Sequence, residues 1–185
     1  MSRLRPGSAP RHDACVLVVI SGLPGSGKTT VARAVAERLG AVHLSIDAIE
    51  DALLGAGLAA GWTTGVAAYE AARVVAEENL LLGRSVVVDA VNDSDPARDT
   101  WRRAARAAGL DPHFVTLLLV DEGEHRRRLE SRGVRFAHVP EPTWDDVVAR
   151  AAAYEPWTDR HVVIDVAQPL DQVVAEVLAS VPGLT

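Results

Sequence analysis

Eight residues near the start of the chain, Gly22 to Thr29, have the types and the spacing of a phosphate-binding loop. They read Gly-Leu-Pro-Gly-Ser-Gly-Lys-Thr and match G-x-x-x-x-G-K-[ST] at every fixed position. Glycines let such a loop turn tightly enough for its backbone N–H groups to point at phosphate oxygens, and the helix that follows adds partial positive charge. A chance Gly-rich turn is the alternative, but a buried strand precedes this loop and a helical pattern follows it directly.

The pattern assigns a task to each part of the loop. Lys28 reaches the β- and γ-phosphates, and the hydroxyl of Thr29 ligates Mg²⁺. We therefore predict that ATP and Mg²⁺ are the cofactors. The residues expected to contact the nucleotide are Gly22, Pro24, Gly25, Ser26, Gly27, Lys28, Thr29 and Thr30.

Two aspartates follow short runs that are predicted to be strands. Asp47 follows Leu44-Ser45-Ile46, at the carboxyl end of a strand, where ligands bind in open parallel sheets. A carboxylate there can take the proton of a hydroxyl that attacks a γ-phosphate, although Asp47 can also simply cap the next helix. Asp89 ends Val86-Val87-Val88-Asp89, a pattern typical of the Walker B aspartate that binds Mg²⁺ directly or through water. An ordinary aspartate in a turn is the alternative for Asp89.

A basic cluster occupies residues 124–132, which read EHRRRLESR. On composition alone this is a solvated helix face with pairs of opposite charge at helical spacing. Its position after the fourth predicted strand favours a second interpretation, a lid that closes over the phosphates. Arginines brought there neutralise the charge that develops during phosphoryl transfer. We predict that Arg126 and Arg132 act in catalysis and that Arg126 also contacts the nucleotide.

Short β-branched runs alternate along the chain with helical patterns, which predicts a parallel sheet covered by helices. The segment 55–65 contains three glycines and ends on a fourth, Gly65, and is expected to be irregular. The predicted strands are Cys15–Ser21, Val42–Ile46, Val86–Asp89, Phe114–Val120 and Val162–Ile164. The main predicted helices are 31–39, 66–82, 96–108, 122–132 and 170–181.

The composition bounds what the protein can be. The 185 residues carry a net charge of -6, which argues against a main role in coating nucleic acid. One cysteine, Cys15, cannot form an internal disulfide, which suits a reducing compartment, and the expected location is cytoplasmic. The longest apolar run near the N-terminus is too short for a membrane span. We expect a disordered lead-in over 1–13 and one domain over 14–185, with the lid at about 121–142.

From the loop onward the chain resembles the small P-loop kinases of the AAA-like ATP-binding group. These include gluconate kinase, chloramphenicol phosphotransferase and the 5′-hydroxyl kinase domain of polynucleotide kinase. The resemblance rests on the loop itself and on four further segments. These are S-I-D at 45–47, G-R-S-V-V-V-D-A-V-N at 83–92, R-R-R-L-E-S-R-G at 126–133 and Y-E-P at 154–156.

The resemblance implies an α/β fold, a P-loop NTPase three-layer sandwich. Its parallel five-stranded sheet would have the order 2-3-1-4-5, with a mobile helical lid. The resemblance also implies that Asp47 is the general base, that lid arginines lie near the phosphates, and that the loop containing Gln168 holds the adenine. The implied activity is ATP-dependent transfer of the γ-phosphoryl group to a hydroxyl of an acceptor.

The chain departs from part of this group at one position. Members that act on polynucleotide ends often carry D-x-x-R after the second strand, whereas this chain has Glu50 three residues after Asp47. An acidic side chain there weakens the case for a phosphate-rich acceptor. We therefore favour a small-molecule acceptor that contacts the segment 50–70. A polynucleotide 5′-hydroxyl kinase and a regulatory ATPase that binds a protein partner are the alternatives. The protein is expected to be a monomer or a homodimer with no membrane association.

Overall fold

The computed structural model describes residues 15–184, so the predicted lead-in at 1–13 lies outside the described residues. In this part of the chain five strands alternate with seven helices. The strands are β1 (Leu17–Ser21), β2 (Val42–Ser45), β3 (Val86–Asp89), β4 (Pro112–Leu118) and β5 (His161–Asp165). The helices are α1 (Lys28–Leu39), α2 (Ile46–Gly55), α3 (Trp62–Leu81), α4 (Asp95–Ala107), α5 (Glu122–Ser131), α6 (Trp144–Ala153) and α7 (Leu170–Ser180).

All strand pairs are parallel, and the sheet has the order β2-β3-β1-β4-β5. The predicted α/β fold and strand order are therefore confirmed. The central strands are valine-rich because both of their faces are covered, so no polar alternation is needed. Their carboxyl ends lie at one edge, where Ser21, Ser45 and Asp89 end three neighbouring strands.

Helices cover both faces of the sheet, which gives three layers. Alternate residues of a strand point to opposite faces, so Val18 and Ile20 pack with α1 and α7 whereas Leu17 and Val19 pack with α3 and α4. The small side chains of Ala68, Ala72 and Ala76 form the buried stripe of α3. No helix among residues 15–184 is long and apolar enough to cross a membrane.

Several boundaries differ from the sequence prediction. Strand β1 begins at Leu17 rather than Cys15, and β4 is Pro112–Leu118 rather than Phe114–Val120, in register with β1. Strand β2 ends at Ser45 rather than Ile46, because Ser45 is the N-cap of a helix that begins at Ile46. Helix α3 begins at Trp62 rather than Val66, because the carbonyl of Gly61 accepts the N–H groups of Thr64 and Gly65. The irregular segment is therefore only residues 56–61, since a glycine does not by itself end a helix that tertiary packing supports.

Candidate active site

The loop between β1 and α1 has the shape that its glycines predict. Gly22, Gly25 and Gly27 all have positive φ, with values of 147°, 85° and 83°. A Cβ on Gly22 would lie 2.7 Å from the carbonyl oxygen of Leu117, so a side chain there would force the backbone to move. A side chain at Gly25 would crowd His125 and Leu129 of α5. Glycine is therefore required both for the turn and for the close approach of α5.

Two polar side chains of the loop are buried with incomplete bonding: Lys28 has no anion beside it, and Ser26 has no hydrogen-bond partner among the described residues. Lys28 is 6% exposed, and its Nζ donates to the carbonyl of Leu23 at 3.0 Å. Burial lowers the pKa of Lys28, while Asp47 and Asp89 act in the opposite direction. A polyphosphate would supply the anion that Lys28 lacks.

Asp89 lies at the centre of a buried network below the loop. Its Oδ1 accepts hydrogen bonds from Thr29 Oγ1 at 2.9 Å and from Ser45 Oγ at 3.4 Å. Its Oδ2 lies 2.6 Å from His43 Nε2. Thr29 and Asp89, the two predicted metal-binding residues, are thus in direct contact. Within residues 15–184 no group of three or more His, Cys, Asp or Glu side chains is placed to hold a metal. This donor set fits Mg²⁺ only if nucleotide phosphates and water complete the coordination.

Above the loop lies an open cleft of about 690 Å³. Its walls come from the phosphate loop, α2, α3, α6 and the segment that follows α5. The predicted residues Pro24, Gly25, Gly27, Lys28, Thr29, Thr30, Asp47 and Arg132 line it. Five arginines also face this space, namely Arg33, Arg128, Arg132, Arg135 and Arg150. Three of them are paired with carboxylates, Arg128 with Glu124, Arg132 with Glu141 and Arg150 with Asp93. A nucleotide polyphosphate needs cations of this kind over backbone N–H groups.

Asp47 lies between the phosphate loop and the far wall of this cleft. It is the second residue of α2, whose N-cap is Ser45, and no capping hydrogen bond involves a side chain. The capping alternative for Asp47 therefore does not describe this geometry. The charge of Asp47 acts on the pKa values of Lys28 on one side and of Glu50 and Tyr69 on the other. Asp47 is thus placed where a phosphate-bound group and a second ligand would meet.

The far wall of the cleft is formed by side chains from three helices. Glu50 of α2, Tyr69 of α3 and Arg150 of α6 line it, and Arg150 pairs with Asp93 at 3.1 Å. Burial raises the pKa of the Tyr69 phenol, so its hydroxyl stays protonated at neutral pH. Of the segment 50–70, in which the acceptor contacts were expected, Glu50 and Tyr69 are the residues that line the cleft.

The predicted lid consists of α5 and the loop that follows it. Its base is fixed to the phosphate loop, because His125 Nε2 lies 2.7 Å from the carbonyl oxygen of Pro24. Its far part is fixed to α2, because Asp51 Oδ1 accepts the backbone N–H groups of His138 at 2.7 Å and Val139 at 3.0 Å. The lid therefore lies against the cleft in this structure, with Arg132 paired to Glu141 inside it.

Five predicted site residues lie outside the cleft lining, and one of them is Asp89, which is buried in its network below the loop. Gly22 is buried beneath the loop, as is Ser26. Arg126 is on the outer side of α5, with its side chain 58% exposed and paired to Glu130 at 2.8 Å. Gln168 donates to the carbonyl of Asp165 at 3.4 Å, after β5. The roles of Arg126 and Gln168 at the nucleotide stay predictions.

Three residues that contribute to the site were not singled out from the sequence. His43 contacts Asp89, His125 contacts the phosphate loop, and Asp51 holds the lid loop. Periodicity along the strand and along the helix could have identified His43 and His125. His43 is in register with Val87 on β3, two residues before Asp89, and His125 is four residues before Leu129 on the inner face of α5. Asp51 had no signal, because its partners are backbone groups of a distant loop.

The family of the chain can now be stated. A family model described as an AAA domain (AAA_33) matches residues 17–154, which is most of the chain and includes the loop, Asp47, Asp89 and the lid. The chain belongs to this family. A comparison with curated proteins finds no match.

Solved structures of kinases have the same fold. A gluconokinase from Sinorhizobium meliloti is 26% identical, with 91% of each chain covered and a TM-score of 0.65. A sugar kinase from Janibacter sp. is 21% identical, with 93% of this chain and 99% of that chain covered and a TM-score of 0.69. An APS kinase from Mycobacterium tuberculosis, solved with AMPPNP and APS, is 22% identical, with 90% and 96% covered and a TM-score of 0.63.

These likenesses confirm the resemblance to small P-loop kinases that the motifs indicated. They also confirm the coarse prediction of enzyme class, an ATP-dependent kinase with a nucleotide site. They do not identify the acceptor.

Proposed function

We propose that this protein transfers the γ-phosphoryl group of ATP to a hydroxyl of a small-molecule acceptor. The observation that supports this most directly is the position of Asp47 on the wall of the cleft. Its carboxylate has no hydrogen-bond partner among the described residues, and its charge acts on both Lys28 and the far wall. A carboxylate that is free to accept a proton beside a phosphate site is what a hydroxyl acceptor requires.

The reaction follows from this placement. The acceptor oxygen attacks the γ-phosphorus, its proton passes to the Asp47 carboxylate, and the bond from the γ-phosphorus to the β,γ-bridging oxygen breaks to release ADP. Lys28 and the loop N–H groups hold the β- and γ-phosphates during this exchange. Arg132, inside the lid and facing the cleft, is placed to neutralise charge on the transferring group.

Mg²⁺ fits beside Thr29, with Asp89 as the group that orients the threonine hydroxyl. When bound, the cation neutralises phosphate charge in the complex. Both carboxylate oxygens of Asp89 already accept hydrogen bonds within the protein, so we infer that Asp89 acts through Thr29 or a water. His43 then fixes the orientation of Asp89 from the other side.

A polynucleotide 5′-hydroxyl kinase is the second candidate, because five arginines line the cleft and could contact a phosphate backbone. Glu50 argues against it, since its carboxylate lines the same cleft and would repel the phosphates of an oligonucleotide. Transfer from labelled ATP to a 5′-hydroxyl oligonucleotide tests this candidate directly. ATP hydrolysis that depends on a protein partner and on no acceptor would favour the regulatory ATPase instead.

The test of the main proposal starts with an ATP-consumption screen against sugars, nucleosides and antibiotics. Asp47→Asn is then compared with wild type on the best acceptor. We expect kcat to fall by about 10²- to 10⁴-fold, the range for loss of a general base, while the dissociation constant for MgATP changes little. Asp171→Asn, an exposed carboxylate on α7 outside the cleft, is the matched control and should keep wild-type activity. A wild-type rate in Asp47→Asn would exclude Asp47 as the base.

A further inference from the structure

Two carboxylates lie one helical turn apart on α2 and face the same cleft. Asp47 and Glu50 are at i and i+3, and both line the space above the phosphate loop. Neither side chain has a hydrogen-bond or ion-pair partner within residues 15–184. The role proposed for Asp47 explains one of them. Glu50 is unexplained by proton transfer, because that step needs a single base.

Among the arginines of the cleft, Arg150 is the one whose charge acts on Glu50, whereas Arg132 and Arg135 act on Lys28. From α6, Arg150 faces the same wall but is paired with Asp93, and Asp146 caps its own helix through Thr143. From α3, the ring of Tyr69 lines the cleft, and a Cβ on Gly65 would lie 3.8 Å from Glu50 Oε1. From the lid, Arg132, Arg135, Phe136 and Val139 line the same cleft.

The direction of the pKa shift of Glu50 agrees with these surroundings. Burial raises the pKa of Glu50, Asp47 raises it further, and Arg150 acts in the opposite direction. Asp47 and Glu50 lie one turn apart on the cleft wall and Arg150 is already paired with Asp93, so an anionic group bound between the two carboxylates would be repelled. A ligand that brought hydrogen-bond donors would satisfy two open carboxylates at once.

Tyr69 adds a hydrogen-bond donor, its phenolic hydroxyl. Its hydroxyl oxygen accepts the backbone N–H of Asn92 at 3.4 Å, so the phenolic proton is free to point elsewhere. Asn92 itself is fixed, since its side chain bonds to Ser21 and Trp101 at 2.9 and 2.8 Å. Asp47 and the far wall together thus offer two carboxylate acceptors and one phenol donor, a set suited to a chain of hydroxyl or amino groups.

We propose that Glu50 is the residue that selects the acceptor, and that the acceptor is a polyhydroxy or amino-alcohol compound without phosphate, sulfate or carboxylate beside the reacting hydroxyl. This inference rests on the proposed kinase function and narrows its substrate class. Glu50 binds a donor group of the acceptor while Asp47 takes the proton of the hydroxyl that reacts.

The experiment compares acceptors that share a scaffold and differ in charge. Glucose, glucosamine, gluconate and glucose 6-phosphate form one set, and nucleosides and their 3′-phosphates form another; aminoglycosides and other hydroxyl-bearing antibiotics complete the screen. Each compound is assayed with wild type, with Glu50→Gln, with Glu50→Arg and with Glu78→Gln as the control. Glu78 is an exposed glutamate on α3 outside the cleft.

We expect the best acceptor to carry no anionic group. Glu50→Gln should raise the KM for this acceptor by about 10- to 100-fold, the range for loss of a hydrogen bond to a charged group, with kcat and the KM for ATP nearly unchanged. Glu50→Arg should lose this acceptor and improve relative activity on the anionic member of its set. A merely structural role for Glu50 would not reverse the charge preference.

The outcomes separate this inference from the proposed function. If the best acceptor is anionic, or if Glu50→Gln leaves the acceptor KM within twofold of wild type, the inference on Glu50 is wrong. In that case the kinase proposal still stands, provided that Asp47→Asn abolishes the transfer. If wild type phosphorylates none of the compounds, both are overturned.

Discussion

The two ends of the cleft are built in opposite ways. At the phosphate end, polar groups are buried and bonded to one another, as Asp89 shows by accepting from Thr29 and Ser45 and contacting His43. At the acceptor end, Asp47 and Glu50 are open to the cleft and have no partner among the described residues. At the phosphate end the carboxylate is held in a network within the protein and a buried ammonium, Lys28, waits for an anion. At the acceptor end it is the carboxylates that wait for a ligand.

This difference follows from what each end binds. Every nucleoside triphosphate carries the same polyphosphate, so backbone N–H groups and a fixed network suit it. Acceptors differ between kinases, so their recognition falls to side chains that can change without disturbing the loop. Specificity within this fold is therefore expected in α2, α3 and the lid rather than between β1 and α1.

The largest expected effect is at the phosphate end. Lys28→Ala removes the ammonium that lies nearest to the β- and γ-phosphates, so we expect MgATP affinity to fall by at least about 100-fold and transfer by about 10³-fold. Calorimetry with purified protein measures the first and a turnover assay the second. Arg38→Ala, on the exposed side of α1, is the matched control. MgATP binding within threefold of wild type in Lys28→Ala would mean that the loop does not hold the phosphates.

A smaller effect on kcat is expected from the lid, and it tests whether the lid acts at the phosphate end of the cleft. Arg132 faces the cleft and Arg126 faces outward, although both lie in the same basic cluster. We expect Arg132→Ala to lower kcat by about 10- to 1000-fold, because a positive charge near the transferring group is lost. Arg126→Ala should stay within a few-fold of wild type. An equal loss in Arg126→Ala would mean that α5 turns on ATP binding and brings Arg126 into the cleft.

The same contrast between the two ends separates the features that could be predicted from the sequence from those that could not. The loop and the central strands were predictable, because they depend on a fixed motif and on buried valine runs, and the strand order followed from the resemblance to small P-loop kinases. The start of α3 was predicted wrongly. Four glycines lie around Trp62, and glycine disfavours a helix when the segment is considered alone. Gly61 is the N-cap, but the alanine stripe that makes the helix stable is recognisable only once it packs on the sheet.

At the acceptor end, the sequence predicted the region but not the arrangement. Glu50 was noted as a departure from an arginine, yet its open carboxylate beside Asp47 depends on where α6 and the lid come to lie. The contact of Asp51 with the N–H groups of His138 and Val139 spans 87 and 88 residues and involves backbone on one side. Such contacts leave no pattern of residue types along the chain.

The smallest expected effects are on stability, and they have opposite signs at the two ends. Thr29→Val removes a hydrogen bond to the buried Asp89 carboxylate, so we expect the free energy of unfolding to fall by about 1–3 kcal/mol. Glu50→Gln removes a charge that its surroundings disfavour, so we expect a gain of about a few tenths of a kcal/mol, small because solvent screens a mostly exposed group. Denaturant unfolding without nucleotide, at equal protein concentration, measures both.

The pH dependence identifies the cause of the Glu50→Gln gain. The pKa of Glu50 in the folded protein is raised above its ordinary value of 4.5, so its ionised form destabilises the fold only at higher pH. The difference between Glu50→Gln and wild type should therefore be present at pH 7 and vanish as the pH falls below about 4.5, because the wild-type carboxyl is then protonated in both states. A gain that persists at pH 4 would mean that the charge of Glu50 is not its cause. A loss at pH 7 would mean that Glu50 is satisfied within the protein, and the contrast between its open carboxylate and the bonded carboxylate of Asp89 would then be wrong.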